Sequence, residues 1–323
     1  MSLITMQNKK IFITRRIPNA GIKLLEKQKN FQVEISPHNR VLKPKELLEK
    51  VKGVDAMLCL LTDKIDGKVM DSAGKQLKII ANYAVGYNNI DVEAASGRNI
   101  MVTNTPGVLT DTVAEHAIGL ILAIAQRIPE ADKFTRAGKY KAWEPMLLLG
   151  TDLKEKILGI IGMGRIGQRV SEIMSRGFGM NIVYSDKFKN SKYKKVSLKK
   201  LLKISDVISV HVPLIPETHH LIGKSELKSM KPSAYLINTS RGPVINEKAL
   251  VRALKKKQIK GAALDVFEKE PKLAPGLAKL DNIILTPHIA SASIETREKM
   301  SIMASKNIIN ALSGKKPKNL VNN

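Results

Sequence analysis

The stretch Ile157-Leu-Gly-Ile-Ile-Gly162-Met-Gly164-Arg165-Ile166-Gly167 decides how this chain folds. A short β-branched apolar run leads straight into G-x-G-x-x-G, and Val170, Ile173 and Met174 then recur at helical spacing. In a strand–turn–helix setting each glycine has a physical task. The first permits a tight turn, the second lets a pyrophosphate approach the backbone, and the third lets the helix pack on the strand. The phosphates then sit on free N–H groups at the positive end of the helix. A second apolar run, residues 181–185, ends at Asp186, about where an acid accepts hydrogen bonds from an adenosine ribose. Together these features predict a dinucleotide site formed by Gly162, Gly164, Arg165, Ile166, Gly167 and Asp186.

Outward from this motif, strand-like runs at 157–161, 181–185, 207–210, 234–238, 262–266 and 283–286 give the six strands of a doubly wound dinucleotide fold. Before it, runs at 11–14, 31–35, 56–61, 79–83 and 100–103 alternate with helical patterns at 20–29, 44–51 and 69–75. Alternation of this kind predicts parallel sheets flanked by helices, an α/β chain of two such domains. A long apolar helix is expected over 110–127, capped by Thr110 or Asp111 and ended near Pro129. A terminal helix over 294–312, closed by Ser313-Gly314, has no strand partner in the second unit. It is expected to return to the first domain and make that domain discontinuous, as 1–103 with 291–323 around 104–290.

Composition narrows the function classes. With 323 residues and 43% hydrophobic content, two cores are expected. No apolar run is long enough to span a bilayer, and the first ten residues lack the apolar core of a signal peptide. The single cysteine, Cys59, excludes an intramolecular disulfide and suits a reducing cytoplasm. The formal charge of +25 invites a nucleic-acid reading. The lysines are dispersed, however, and arginines and aromatics are too few for phosphate reading and base stacking, so no nucleic acid is expected. A positive surface would still attract small anionic substrates.

Three segments at strand ends carry chemistry. In Asn238-Thr239-Ser240-Arg241-Gly242-Pro243 the arginine is held in a turn, where a guanidinium can grip a carboxylate through two parallel hydrogen bonds. Asp265-Val-Phe-Glu268-Lys-Glu270-Pro271 supplies carboxylates, and Thr286-Pro287-His288 supplies a candidate general acid/base. A carboxylate at the far ring nitrogen would orient the imidazole and favour its charged form. No metal-ligand cluster is expected.

With these motifs the chain resembles the D-isomer-specific 2-hydroxyacid dehydrogenases over essentially its whole length, most closely the glyoxylate/hydroxypyruvate reductases. Asn82-Tyr-Ala-Val85-Gly86-Tyr-Asn-Asn-Ile-Asp91 and Thr105-Pro-Gly-Val-Leu-Thr-Asp-Thr112 add to the match. The resemblance implies a Rossmann NAD domain inserted into a flavodoxin-like substrate domain, and a homodimer. It implies that Arg241 binds the substrate carboxylate, that His288 is the proton donor, and that Glu270 is its partner, with Glu268 the competitor. Val85 and Gly86 match a backbone N–H pair that holds the carboxylate. Trp143 matches a residue placed over the neighbouring subunit's substrate. Thr112, Pro213, Thr239 and Asp265, with Arg241 and His288, match residues along the cofactor.

The resemblance also bears on substrate and cofactor. No arginine follows the strand at 56–61, which disfavours a phosphorylated substrate, and glutamate at 270 disfavours formate oxidation. A carboxylate at Asp186 would repel a 2′-phosphate, so NAD(H) is favoured; Lys187 and Lys189 leave NADP(H) as the alternative. A larger 2-keto acid such as 2-ketogluconate stays open as substrate. So does an NAD(H)-sensing transcriptional co-regulator that retains the Arg/Glu/His set.

Overall fold

The computed structural model describes residues 8–189 and 192–322. The first seven residues, read above for a targeting signal, lie outside them. The chain forms two compact units, one up to Leu109 and again from Ala292, the other Thr110–Ser291. Among the described residues no helix is long and apolar enough to cross a membrane.

The first unit is built on five parallel strands, β1 Lys9–Ile13, β2 Phe31–Ile35, β3 Ala56–Leu60, β4 Ile79–Tyr83 and β5 Met101–Thr103, in the order β2-β1-β3-β4-β5. The inner strands β3 and β4 are buried almost throughout, which is why they read as continuous apolar runs. The terminal helix Ile294–Leu312 packs on helix Asn19–Glu26 and on β4. Its N-cap Ser293 accepts from the Thr296 amide, and the Tyr83 hydroxyl donates to the Arg297 carbonyl at 2.6 Å. Residues 104–109 stay with this unit, beyond the strand end at 103. Asn104 donates to the Val85 carbonyl at 2.8 Å, and the Thr105 amide donates to the Ala84 carbonyl at 2.9 Å.

The second unit holds seven parallel strands: β6 Ile157–Ile161, β7 Asn181–Ser185, β8 Lys194–Lys195, β9 Val207–Val210, β10 Tyr235–Asn238, β11 Gly261–Leu264 and β12 Ile283–Leu285. Their order is β12-β11-β10-β9-β6-β7-β8, the doubly wound pattern with its reversal between β6 and β9. Side chains alternate between two cores, as a period of two requires. Ile161, Val210, Leu236 and Leu264 point into one. Ile160, Tyr184, Ile237 and Ala263 point into the other, against Ile118, Ile121 and Ile124 of helix Thr110–Ala125.

Two elements depart from the sequence reading. The short edge strand β8 is absent from the six strand runs read in the sequence, and pairs with Val183 and Tyr184 of β7. Pro129 begins a second helix, Ile128–Arg136, instead of stopping the first. Arg127 at φ 57° breaks the chain between the two helices. A proline in the first turn lacks only an N–H that the helix would leave unpaired.

Candidate active site

The glycine turn sits at the end of β6, next to the strand reversal. Gly162 has φ +94°, and a Cβ there would lie 2.8 Å from the His211 carbonyl. A Cβ on Gly167 would lie 2.2 Å from the Gly162 carbonyl oxygen, so this glycine lets the helix close on the strand. Gly164, the N-cap of helix Arg165–Phe178, has only open space where its Cβ would point. A pyrophosphate approaching these amides would need that space. Asp186 ties the turn to β7: its carboxylate accepts from the Met163 amide at 2.6 Å and the Phe188 amide at 2.9 Å. The buried Thr239 hydroxyl at the end of β10 has no hydrogen-bond partner among the described residues, as a ligand-binding group would. Arg165 and Pro213 are exposed, Ile166 is half-buried, and Thr112 lies in the first turn of helix Thr110–Ala125. The open cradle, the helix N-terminus and the orphaned hydroxyl fit a dinucleotide.

At the ends of β10, β11 and β12 the structure assembles an arginine, two carboxylates and a histidine. Asn238 folds the turn after β10, donating to the Arg241 carbonyl at 2.9 Å and accepting from the Ser240 amide at 2.9 Å. Arg241 Nη1 donates to the Ser240 carbonyl at 2.7 Å. Burial pushes the Arg241 pKa down and the Glu270 charge opposes it; an arginine starts so high that the cation persists.

His288 Nδ1 lies 2.9 Å from Glu270 Oε2, and about a quarter of each side chain is exposed. Glu270 Oε1 also accepts from the Phe267 amide at 3.0 Å. Burial pushes the Glu270 carboxyl up. The His288 hydrogen bond and charge, the Phe267 amide and Arg241 outweigh it, so the group stays ionised below the usual carboxylate range. Glu268 is turned elsewhere, toward His220 at 3.0 Å.

Asp265, fully buried at the end of β11, seats the histidine segment. Its carboxylate accepts from the Ile289 and Ala290 amides at 2.8 Å each and from the Thr286 hydroxyl at 2.6 Å. His116 Nε2 is 3.4 Å away. Burial pushes the Asp265 carboxyl up, and these donors hold it below its usual range regardless. The Asp265 carbonyl accepts the His288 amide at 2.8 Å, with His288 at φ 55°. His116 is absent from the sequence reading because nothing in the helical run around it marks it. Only the packing of helix Thr110–Ala125 on β11 and β12 brings it to the site.

Of the other residues named from sequence, Val85 and Gly86 belong to the first unit and Trp143 to the second. In the first unit the loop after β4 has its Ala84, Val85 and Gly86 carbonyls engaged by Thr105, Asn104 and Asn82. Trp143 follows helix Ile128–Arg136 and is 79% exposed.

A glycine turn of the dinucleotide-binding type, and a histidine–carboxylate pair with an arginine at the ends of other strands of the same sheet, fit an oxidoreductase that moves a hydride at an oxygen-bearing carbon. The model of the D-isomer specific 2-hydroxyacid dehydrogenase NAD binding domain matches residues 118–290. The glyoxylate reductase of Thermococcus litoralis is 50% identical over 323 residues, covering 97% of this chain and 96% of that protein. A crystal structure of a Thermus thermophilus protein superposes with a TM-score of 0.91 at 44% identity, covering 97% of this chain and 99% of that one. An NADPH-dependent glyoxylate/hydroxypyruvate reductase from Sinorhizobium meliloti, solved with NADP and malonate, gives 0.86 at 30% identity, covering 98% and 97%. The chain belongs to the D-isomer-specific 2-hydroxyacid dehydrogenase family.

Proposed function

We propose that this chain reduces glyoxylate, hydroxypyruvate or a similarly small 2-keto acid to the 2-hydroxy acid with NAD(P)H. The observation that carries the reading is the 2.9 Å His288–Glu270 pair beside the half-buried Arg241. Arg241 grips the substrate carboxylate with its planar fork and polarises the neighbouring carbonyl. His288 uses Nε2, the ring nitrogen away from Glu270, to give a proton to the carbonyl oxygen. Glu270 holds the ring in place and balances the imidazolium charge. The nicotinamide, when bound, supplies the hydride that reaches the carbonyl carbon. Val85 and Gly86 offer two amides to a carboxylate, consistent with a substrate-binding first unit and a cofactor-binding second unit.

NADH is the favoured donor, because Asp186 places a carboxylate at the end of β7 where a 2′-phosphate would be repelled. The protein acts as a homodimer, with the exposed Ile128, Tyr140, Trp143, Met146 and Leu149 as the covered face. The single buried cysteine suits a cytoplasmic setting.

The deciding measurement is steady-state oxidation of NADH and NADPH across a panel of 2-keto acids. Turnover should be fastest with glyoxylate or hydroxypyruvate, slower with 2-ketogluconate, and better with NADH. Cofactor binding without turnover of any acid would overturn the assignment and favour a nucleotide-sensing co-regulator.

A further inference from the structure

Behind the Arg241 turn lies a second carboxylate–histidine group, of which only Glu268 drew notice in the sequence, as a competitor of Glu270. The Glu247 amide donates to Glu268 Oε2 at 3.1 Å, and the Glu268 amide donates back to Glu247 Oε1 at 2.7 Å. His220 Nε2 lies 3.0 Å from Glu268 Oε1, while its Nδ1 lies 3.4 Å from Asn246 Nδ2. Both ring nitrogens thus have a polar partner, a carboxylate oxygen at Nε2 and the Asn246 amide at Nδ1. The His220 amide in turn donates to the Pro243 carbonyl at 2.8 Å.

These bonds cross the closest backbone approach in the site. A Cβ on Gly242 would lie 1.9 Å from the Phe267 carbonyl, so the Arg241-Gly242 turn rests directly on the Phe267-Glu268 backbone. Phe267 also donates its amide to Glu270. We propose that His220, Glu268 and Glu247 form a positioning clip that locks the Arg241 turn against the loop carrying Glu270. The reach of Arg241 toward substrate and of Glu270 toward His288 is thereby fixed together. This inference rests on the assignment of Arg241, Glu270 and His288 above. The clip residues touch no substrate; they act through Arg241 and Glu270.

The geometry accounts for the residue types. Glu247 is 3% exposed, and burial pushes its carboxyl up, with the Glu268 amide opposing and the Glu268 and Glu270 charges adding to the rise. Three carboxylates this close need donors between them, and His220 and the two reciprocal amides supply them. Glutamine at 268 would keep the shape and an acceptor oxygen. Alanine would remove both.

The test is kcat and KM for glyoxylate reduction in Glu268→Ala, Glu268→Gln and His220→Ala, with Glu268→Ala also made in a Glu270→Gln background. Glu268→Ala should lower kcat about tenfold to hundredfold, as misplacement of order 1 Å does, and leave KM for NADH within about twofold. Glu268→Gln should recover most of that loss, and His220→Ala should fall between. In the Glu270→Gln background Glu268→Ala should cost much less, because the group it positions is already altered. Full kcat in a folded Glu268→Ala, or additive losses in the double variant, would overturn the clip. If Glu268→Ala does not fold, an unchanged kcat in His220→Ala does the same. Full activity in Arg241→Lys and His288→Ala would instead refute the underlying site assignment.

Discussion

At Arg241 the chemistry asks for more than positive charge. A guanidinium can offer a planar fork of N–H groups, here carried on a turn fixed by Asn238, whereas a lysine would offer a single point charge on a flexible stem. Arg241→Lys should therefore lower kcat/KM for glyoxylate by at least about a hundredfold; a loss below tenfold would remove Arg241 from the site. Glu270 carries a pH consequence. Its carboxyl lies below its ordinary value, so the folded state favours the ionised form. The stability this contributes is fully present above the unfolded pKa of about 4.3 and is lost as pH falls through the lower folded value. Denaturant unfolding of wild type and Glu270→Gln, compared from pH 7 down to 3.5, should show a constant gap above about pH 5 that narrows below it. A gap that persists to the lowest pH would contradict the pairing. The sequence named both carboxylates before Pro271, and the resemblance paired Glu270 with His288, but the partners of Glu268 were not foreseen. Which one meets His288 depends on the path of the loop after β11, where Phe267 fastens Glu270 and Glu247 fastens Glu268.

At the scale of elements, the glycine turn separates two kinds of constraint that one motif conceals. Gly164 has ordinary helical-entry backbone and open space, so Gly164→Ala should leave the unfolding midpoint nearly unchanged and raise KM for NAD(P)H. Gly167→Ala must displace the Gly162 carbonyl and should lower stability by about 1–3 kcal/mol. Comparing thermal unfolding with KM in the two variants tests this; equal effects on both properties would refute the division. Apolar periodicity made the strands legible because each strand buries one or both faces. The long helix ends close to where the sequence placed its end, but the second helix that follows was missed because Pro129 can stop a helix or start one. The left-handed turn at Arg127, which favours a start, leaves no mark on local sequence.

At the scale of the whole molecule, the proposed homodimer would cover the exposed apolar side chains between Ile128 and Leu149, among them Trp143 at 79% and Met146 at 76% exposure. If a second copy covers them, the protein should sediment at twice its chain mass of 35.6 kDa. Joint replacement Trp143→Asp and Met146→Asp should then shift it toward the single chain. A wild type that sediments as one chain at micromolar concentration would refute the homodimer. The terminal helix Ile294–Leu312, which has no strand of its own in the second unit, groups with the first. The unit boundary moved past residue 103 because Asn104 and Thr105 bond to the loop after β4, a pairing between segments far apart in sequence.

By itself the sequence determined the α/β class, the dinucleotide turn and the strand ends that carry Arg241, Glu270 and His288. Each of these is written in local spacing: glycines where backbone must approach backbone, apolar residues at a period of two, and polar residues where a strand runs out. Only the tertiary structure decided that Glu268 turns to His220, that His116 and Asp265 seat the histidine segment, and that Glu247 stands behind the Arg241 turn. Those pairings join residues from about 20 to 150 positions apart, as with Glu247–Glu268 and His116–Asp265. They are set by the packing of strands and helices against one another, which no short window of sequence encodes.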